Sequence, residues 1–230
     1  MLSFDSTQDK GKLSIVATPI GNLEDITLRA LRTLKECDVV YAEDTRVIAK
    51  LLARYEIKKP LQRLDATTEL KKAKDVVTRL EAGECVAFVS DAGTPGIADP
   101  GARLVAFVRG HVPDATIEAI PGPSALAAAL SIAGIDTSEF IFLGFLPHKK
   151  GRQTALKKIA ANEYTVVLYE SPHRILKLLQ ELEKVGIQKV TIARELTKIH
   201  EEVLVGTPAA LGKQLEAKKS ARGEFVVIVW

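Results

Sequence analysis

Residues 84–101 read Glu84-Cys-Val-Ala-Phe-Val-Ser-Asp-Ala-Gly-Thr-Pro-Gly-Ile-Ala-Asp-Pro-Gly101. The apolar start predicts a buried strand, and the remainder predicts a loop that leads into an amphipathic helix over Pro100–Arg109. Helix capping, with Asp99 as N-cap and Pro100 at the first helical position, accounts for the end of this loop. It leaves Asp91–Pro95 unexplained, because glycine and proline make that segment longer and stiffer than a connection of about two to six residues requires. We therefore expect a ligand to bind at this loop.

Runs rich in β-branched residues alternate with helical patterns along the whole chain, which predicts an α/β fold. Strands are expected at Leu13–Thr18, Asp38–Ala42, Cys85–Ser90, Thr116–Ile120, Phe140–Phe145, Thr165–Tyr169, Lys189–Arg194, Glu201–Val205 and Phe225–Trp230. Helices are expected at Glu24–Lys35, Glu69–Glu81, Pro100–Arg109, Ala125–Ala133 and Pro172–Val185. The strands near Ile192 and Val203 leave no room for a helix between them, so the second sheet is predicted to be mixed.

The segment Pro121-Gly-Pro123, near the midpoint of the chain, is the best candidate for a domain junction. This choice places a flexible N-terminal tail at residues 1–12, an N-terminal α/β domain at 13–120 and a C-terminal α/β domain at 121–230. A single continuous domain is the alternative.

The composition is that of an ordinary globular protein, with 47% hydrophobic and 27% charged residues. No apolar run approaches the roughly 20 residues of a membrane span, and the polar N-terminal stretch lacks the apolar core of a signal peptide. Cys37 and Cys85 lie in apolar contexts and indicate neither a disulfide framework nor a cysteine metal site. We expect a soluble protein in the reducing environment of the cytoplasm.

Missing motifs argue against several classes of enzyme. No G-x-G-x-x-G follows a predicted strand and no G-x-x-x-x-G-K-[ST] occurs, which argues against NAD-dependent enzymes and P-loop nucleoside triphosphatases. No G-x-S-x-G turn occurs and the four histidines show no ligand spacing, which argues against a serine hydrolase and a zinc site. We expect no metal.

Polar and charged residues cluster where predicted strands end, and ligands bind at this position in open α/β sheets. The clusters lie at residues 18–25, 42–46, 90–101, 121–124, 169–174 and 193–198, and residues 222–224 immediately precede the last predicted strand. Structural roles are the alternatives: Asn22 and Asp25 as helix caps, Asp44 with Arg46 as an ion pair, and Glu170 as a cap of the helix at Pro172. The coincidence of so many clusters at strand ends favours a ligand cleft.

The net charge of +3 is too small to indicate a nucleic-acid partner by itself. The distribution of charge is more informative, because residues 146–160 contain no acid, one histidine (His148) and five basic residues: Lys149, Lys150, Arg152, Lys157 and Lys158. A second basic cluster contains Lys218, Lys219 and Arg222. Each cluster is either a solvated helix face or a surface for an acidic partner.

Six motifs resemble one family in order and spacing: Leu13-Ser-Ile-Val-Ala-Thr-Pro-Ile-Gly-Asn-Leu-Glu-Asp-Ile-Thr27, Ala42-Glu-Asp-Thr-Arg46, Val89-Ser-Asp-Ala-Gly-Thr-Pro95 with Asp99-Pro-Gly101, Gly144-Phe-Leu-Pro147, Tyr169-Glu-Ser-Pro-His-Arg174 and Ala193-Arg-Glu-Leu-Thr-Lys198. The family is the bacterial 16S ribosomal RNA (cytidine-2′-O)-methyltransferases, in the tetrapyrrole methylase superfamily, and the likeness runs from about Leu13 to Trp230. The resemblance implies a homodimeric class III methyltransferase, in which two α/β domains flank a cleft that binds S-adenosylmethionine. The implied reaction methylates the ribose 2′-hydroxyl of a cytidine in the decoding region of 16S rRNA, within the small ribosomal subunit.

The resemblance also implies roles for residues at the strand ends. The methyl donor is expected to contact Ser90, Asp91, Ala92, Gly93, Thr94, Pro95, Pro121, Gly122, Ser124, Ala125, Tyr169, Ala193 and Gly223. The RNA substrate is expected to contact Thr18, Pro19, Gly21, Asn22, Arg46, Arg174, Arg194, Lys149, Lys150 and Arg152. The candidates for a general base that removes the hydroxyl proton are Glu170, Asp44 and Glu195, which the sequence does not rank.

The chain departs from the family pattern in two places. It has Asp65-Ala-Thr-Thr-Glu69 where members usually have His-x-His-Asn-Glu, and it ends at Trp230 where many members continue into a small C-terminal domain. Two other functions are considered: methylation of a tetrapyrrole or another small acceptor, and binding to the ribosome without catalysis. The first predicts donor binding without activity on ribosomal RNA, and the second predicts RNA binding without methyl transfer.

Overall fold

The computed structural model describes residues 11–65, 67–218 and 223–230. The chain divides into two compact units, Met1–Ser124 and Ala125–Trp230, and each contains one five-stranded sheet. Residues 1–10 of the expected flexible tail lie outside the described residues. The last two residues of that tail do not fit the expectation, because Gly11 is buried and Lys12 begins the first strand.

The sheet of the first unit is entirely parallel. Its strands are β1 (Lys12–Val16), β2 (Val39–Ala42), β3 (Leu61–Arg63), β4 (Cys85–Val89) and β5 (Thr116–Ile120). Their order across the sheet is β3-β2-β4-β1-β5. Val16 at the end of β1 is in register with Val89 of β4 and Ile120 of β5, so the loops that follow these strands leave the sheet at one edge. Strand β3 was not predicted, because it has only three residues with a glutamine at its centre.

Helices cover both faces of this sheet: α1 (Leu28–Glu36), α2 (Thr45–Arg54), α3 (Glu69–Glu81) and α4 (Ala102–His111). Val40 and Leu52 belong to the core on the face covered by α1 and α2, whereas Phe88 and Val76 belong to the core on the face covered by α3 and α4. Burial on both faces explains why the strands read as continuous apolar runs.

The helix predicted to start at Glu24 is interrupted. Leu23–Asp25 forms a single 3-10 turn, and α1 begins only at Leu28. The Thr27 hydroxyl caps α1 by accepting a hydrogen bond from Ala30 N at 3.1 Å. The predicted start is therefore wrong, because a second N-cap lies within the predicted helix.

The predicted start of α4 is also wrong. The helix begins at Ala102, and Gly101 immediately before it has φ +131°, outside the helical range. Asp99 therefore does not act as the N-cap, and Pro100 does not occupy the first helical position. The sequence patterns also did not predict α2, which follows β2 after two residues.

The sheet of the second unit is mixed, as predicted. Its strands are β6 (Phe140–Phe145), β7 (Thr165–Glu170), β8 (Val190–Arg194), β9 (Glu202–Gly206) and β10 (Phe225–Val229). Their order is β6-β7-β10-β8-β9. Strands β6 and β7 are parallel, whereas the pairs β7–β10, β10–β8 and β8–β9 are antiparallel.

The helices of this unit are α5 (Ala125–Ile132), α6 (Arg152–Ala160), α7 (Ile175–Lys184) and α8 (Pro208–Ala217). Leu156, Leu178 and Leu211 pack with Val227 in a core formed by α6, α7, α8 and one face of the sheet. The sequence patterns did not predict α6 and α8, and α7 begins later than the predicted Pro172. In the part of the chain that the structure describes, no helix is long and apolar enough to cross a membrane.

Candidate functional site

The loops that follow β1 and β4 are joined by backbone hydrogen bonds. Thr18 N donates to Gly93 O at 2.9 Å and Gly93 N donates to Thr18 O at 3.0 Å. The Thr18 hydroxyl donates to Ser90 O at 3.1 Å, and the side chain of Ser90 is itself buried. Gly93 has φ +81°, and a Cβ there would lie 3.3 Å from a methyl group of Ile20. Thr18 therefore faces the interior, where it supports the loop after β4. Thr18 was expected to contact the substrate, but its hydroxyl is used in this internal hydrogen bond.

The segment after β5 packs on the same loops. The Thr94 hydroxyl donates to Pro123 O at 3.2 Å, and a Cβ on Gly122 would lie 3.0 Å from the Cβ of Ala17. Residues 90–95 and 121–124, predicted to contact the donor, are thus brought together within the first unit. Ala92 and Pro121 are exposed there, whereas Pro95 is buried.

Asp91 links this loop to the one after β2. Its Oδ1 accepts a hydrogen bond from Asp44 N at 2.8 Å. Asp44 caps α2 by accepting from Arg46 N at 2.9 Å and also binds the Arg46 guanidinium, with Nε at 3.0 Å from Oδ1. These hydrogen bonds from Arg46 hold the pKa of Asp44 well below its ordinary value. The ion-pair alternative for Asp44 and Arg46 is therefore what the structure shows.

Three carboxylates beside this loop have a raised pKa. Burial raises the pKa of Asp99 to about 6, and the charge of Asp91 adds to that shift. Burial also raises the pKa of Glu43, with further contributions from Asp91 and Asp99. The pKa of Asp91 is raised by burial as well, although the hydrogen bond from Asp44 N opposes the shift. None of the three forms a salt bridge with another described residue. Glu43 and Asp99 were not predicted as site residues.

Glu69, which the sequence did not single out as functional, caps α4 from a neighbouring helix. It is buried, and its Oε1 accepts hydrogen bonds from Gly101 N and Leu104 N, each at 3.1 Å. These two N–H groups at the start of α4 have no acceptor within their own helix. Glu69 of the Asp65–Glu69 segment therefore holds the end of the loop that was expected to bind a ligand.

Asp65 at the other end of that segment closes a local turn. Its Oδ1 accepts hydrogen bonds from Thr67 N at 3.0 Å and Thr68 N at 2.9 Å, and its Oδ2 lies 2.7 Å from Arg63 Nη2. The residues that differ from the family pattern are thus used to position the start of α3.

Residues 19–25 have mainly structural contacts. Asn22 caps the 3-10 turn by accepting from Glu24 N at 3.1 Å, so the capping alternative is correct for Asn22. Asp25 does not cap α1, and its buried Oδ2 has no hydrogen-bond partner among the described residues. Pro19 is buried and Gly21 is exposed.

In the second unit, Glu170 is the centre of a buried ion cluster. Its side chain has no exposed area. Oε1 accepts hydrogen bonds from Arg174 Nε at 2.6 Å and from Ser171 N at 2.8 Å. Glu170 does not cap α7, whose N-cap position is Arg174. A carboxylate so buried and paired is poorly placed to remove a proton from a substrate, and Arg174 is engaged in the same pair.

Arg152 completes this cluster. It is only 4% exposed, its Nε donates to Glu181 Oε2 at 2.8 Å, and its Nη2 lies 3.6 Å from Glu170 Oε2. The guanidinium of Arg152 is therefore unavailable to an RNA phosphate. The sequence-based prediction for Arg152 is wrong because a run of basic residues does not reveal which of them a helix buries.

Glu195 is also engaged within the protein. Its Oε1 accepts hydrogen bonds from Lys198 Nζ at 2.8 Å and from Glu224 N at 3.0 Å. Burial opposes ionisation, but these bonds lower the pKa of Glu195 overall. A Cβ on Gly223 would lie 2.5 Å from the Glu195 side chain, so Gly223 is required for this contact. Nearby, Ala193 is buried and Arg194 lies 3.4 Å from Glu202 Oε2.

The lysines predicted to contact RNA are exposed. Lys149 and Lys150 lie in the turn before α6, and Lys157 and Lys158 lie on that helix. In the second basic cluster, Lys218 forms an ion pair with Glu202 at 2.5 Å, whereas Lys219 and Arg222 lie outside the described residues.

In the described ranges, no group of three or more histidine, cysteine, aspartate or glutamate side chains is arranged to hold a metal ion. A parallel sheet covered on both faces, followed by a mixed sheet, is the architecture of the class III methyltransferases, as the sequence predicted. The family model for tetrapyrrole (corrin/porphyrin) methylases matches residues 12–212, and the chain belongs to that family. The resemblance to the tetrapyrrole methylase superfamily that the six motifs indicated is thereby confirmed.

Relatives in sequence and in structure agree with this assignment. The chain is 45% identical over 220 residues to the ribosomal RNA small subunit methyltransferase I of Thermotoga maritima, covering 95% of this chain and 98% of the relative. The structure of a cobalamin biosynthetic enzyme, cobalt precorrin-4 methyltransferase, matches with a TM-score of 0.69, 21% identity and 95% of each chain. The uroporphyrin-III C-methyltransferase of Thermus thermophilus, solved with S-adenosyl homocysteine, matches with a TM-score of 0.64 and 20% identity over 95% of this chain and 97% of that chain.

Proposed function

We propose that the protein transfers the methyl group of S-adenosylmethionine to the ribose 2′-hydroxyl of a cytidine in the decoding region of 16S rRNA. The observation that carries this proposal is the 45% identity, over nearly the full length of both chains, to a protein named for methylation of small-subunit ribosomal RNA. The proposal includes the cytoplasmic location expected from the cysteine content and the homodimer that the resemblance implies.

The loop after β4 fits the methyl donor chemically. S-adenosylmethionine supplies an electrophilic methyl group on a positively charged sulfonium and also carries an ammonium group. Glu43, Asp91 and Asp99 leave negative charge that no described cation neutralises by a salt bridge, and opposite charges attract strongly where water is partly excluded. Gly93, with φ +81°, lets this loop turn back onto Thr18 and so fixes the backbone around the candidate site. We propose residues 90–95 and 121–124 of the first unit as donor-binding residues.

Catalysis requires that the 2′-oxygen, the methyl carbon and the sulfur are held in line, and orientation of this kind supplies much of the rate. The hydroxyl proton must also be accepted. The carboxylates of Glu170, Asp44 and Glu195 are all occupied by internal hydrogen bonds. Asp99 and Glu43, with raised pKa values and no salt bridge to a described residue, are better suited to hold that proton.

The decisive experiment is transfer of labelled methyl from S-adenosylmethionine to small ribosomal subunits that lack their native modifications, followed by mapping of the labelled nucleotide. Label on a cytidine 2′-oxygen supports the proposal. Donor binding without label on RNA favours a small acceptor or a ribosome-binding protein without catalysis, and residues 65–69 are then the first place to look for the cause.

The donor site is tested by calorimetry on point variants. We expect Asp91→Ala and Gly93→Val to abolish measurable donor binding, since the first removes the link to Asp44 and the second places a branched side chain at positive φ against Ile20. The matched control is Glu36→Ala, an exposed acid at the end of α1, which precedes β2 and so lies at the opposite edge of the sheet. Retained donor affinity in a folded Asp91→Ala variant contradicts this placement.

A further inference from the structure

The end of β6 presents an aromatic ring to solvent. Phe145 is 53% exposed, although most aromatic side chains in strands pack against neighbours. Its ring contacts Tyr169 edge-on, with 5.7 Å between the ring centres, and Tyr169 also contacts Phe142 at 4.9 Å. The Tyr169 hydroxyl accepts a hydrogen bond from Leu126 N at 3.1 Å. Phe145 is therefore supported on one side by an anchored ring and is open on the other.

The residues that follow Phe145 in the chain include lysines whose charge no described residue neutralises by a salt bridge. Lys149 and Lys150 are exposed four and five residues after Phe145, and Lys157 and Lys158 lie about two helical turns further along α6. None of the four lysines forms a salt bridge with a residue in the described part of the chain. The remaining basic side chain of the run, Arg152, is buried against Glu181 and contributes no free charge.

An exposed ring beside unneutralised cations matches the chemistry of single-stranded RNA. Unpaired bases stack on aromatic side chains, and ammonium groups contact the phosphates between the bases. A purely apolar partner does not account for the lysines, and a duplex does not account for the ring because its bases are already stacked.

We propose that Phe145 stacks on an unpaired base of the substrate RNA while Lys149 and Lys150 contact the adjoining phosphates. This inference rests on the proposed function and adds to it a base-stacking residue. The two kinds of side chain contribute differently to RNA affinity. The contribution of Phe145 is nearly independent of salt concentration, whereas the contribution of the lysines falls as the salt concentration rises.

The test is binding of a fluorescently labelled single-stranded RNA oligonucleotide, and of small ribosomal subunits, as a function of salt concentration. We expect Phe145→Ala to weaken binding about tenfold or more with an unchanged salt slope, and Phe145→Trp to restore affinity because it keeps an aromatic face. The double variant K149A/K150A is expected to reduce the salt slope by about one to two units. Its control is K177A/K184A, which removes the same charge from exposed positions on α7 of the same unit.

Each outcome has a distinct meaning. Wild-type affinity in Phe145→Ala overturns the inference while leaving the proposed function standing, whereas absence of RNA binding by the wild-type chain overturns both. Equal effects of the two double-lysine variants show a general charge effect and contradict a local surface. Light scattering is run on every variant, and a change of oligomeric state in Phe145→Ala shows that a second copy of the chain covers the ring instead of RNA.

Discussion

Apart from Asp44, which pairs with Arg46, the acids beside the loop after β4 lack the cationic partners that acids at the strand ends of the second unit have. In the first unit, Glu43, Asp91 and Asp99 have raised pKa values and no salt bridge to a described residue. In the second unit, Glu170 is matched by Arg174 and Glu195 by Lys198. The two sheets place acids at comparable positions, so the difference lies in the side chains that surround them.

Under the proposed function, this difference distinguishes acids that stabilise the fold from acids that bind a ligand. A buried acid that is paired and hydrogen-bonded holds two segments together, and removal of either partner leaves an uncompensated charge. An ionised, partly buried acid without a cationic partner destabilises the folded state. A cationic ligand that binds beside the acid offsets this destabilisation. The paired acids of the second unit therefore fix its loops, whereas the unpaired acids of the first unit are available to a ligand.

The largest expected effect comes from breaking the paired arrangement. Glu170→Ala leaves the guanidinium groups of Arg152 and Arg174 without their shared carboxylate, and we expect it to lower the free energy of unfolding by about 3 to 5 kcal/mol. Urea denaturation measures the change. Glu183→Ala, which removes an exposed acid from α7, is the control. A loss no larger than that of the control contradicts a structural role for the cluster.

An intermediate effect is expected at Glu69, a buried acid of the first unit that accepts hydrogen bonds as the acids of the second unit do. Glu69→Ala leaves Gly101 N and Leu104 N without an acceptor, which should lower the free energy of unfolding by about 1 to 3 kcal/mol. Glu69→Gln keeps an acceptor oxygen and should recover part of the loss. The exposed Glu81 at the end of α3 provides the control variant, Glu81→Ala. If the Ala and Gln variants at position 69 are equally stable, the cap is not the source of the effect.

The smallest effect, with the opposite sign, is expected for an unpaired acid. The pKa of Asp99 rises from an ordinary 3.8 to about 6 on folding, so between those pH values the folded chain keeps a proton that the unfolded chain has lost. The free energy of unfolding therefore falls as pH rises through this range and stays lower above it. Asp99→Asn should be more stable than the wild type at pH 7, on the order of 1 kcal/mol after allowance for solvent screening.

At pH 3.5 most of this advantage should be lost, because Asp99 is then protonated in the folded state and mostly protonated in the unfolded state. Thermal unfolding of both chains at the two pH values measures the difference. An advantage of Asp99→Asn that is the same at pH 3.5 and pH 7 rules out titration of Asp99 as its cause.

The strands were largely predictable because burial on both faces leaves an uninterrupted apolar run, as in Cys85–Val89. The loop after β4, whose role in ligand binding stays a prediction, stood out in the sequence because its glycines and prolines restrict the backbone. The start of α4 was mispredicted because a local Asp-Pro pattern suggested a cap, whereas the cap that forms is Glu69, more than thirty residues earlier in the chain. The burial of Arg152 was equally hidden, since it depends on where α6 packs and not on the residues beside it.

The pair of hydrogen bonds between Thr18 and Gly93 makes the loops after β1 and β4 one cooperative unit. Neither loop can open without breaking both bonds, so the two share a single local opening equilibrium and their amides are exposed to exchange together. A ligand that orders one loop orders the other at the same moment, and the loss of conformational entropy is incurred once for both. Two segments that lie more than seventy residues apart in the chain thus respond to binding as a single element.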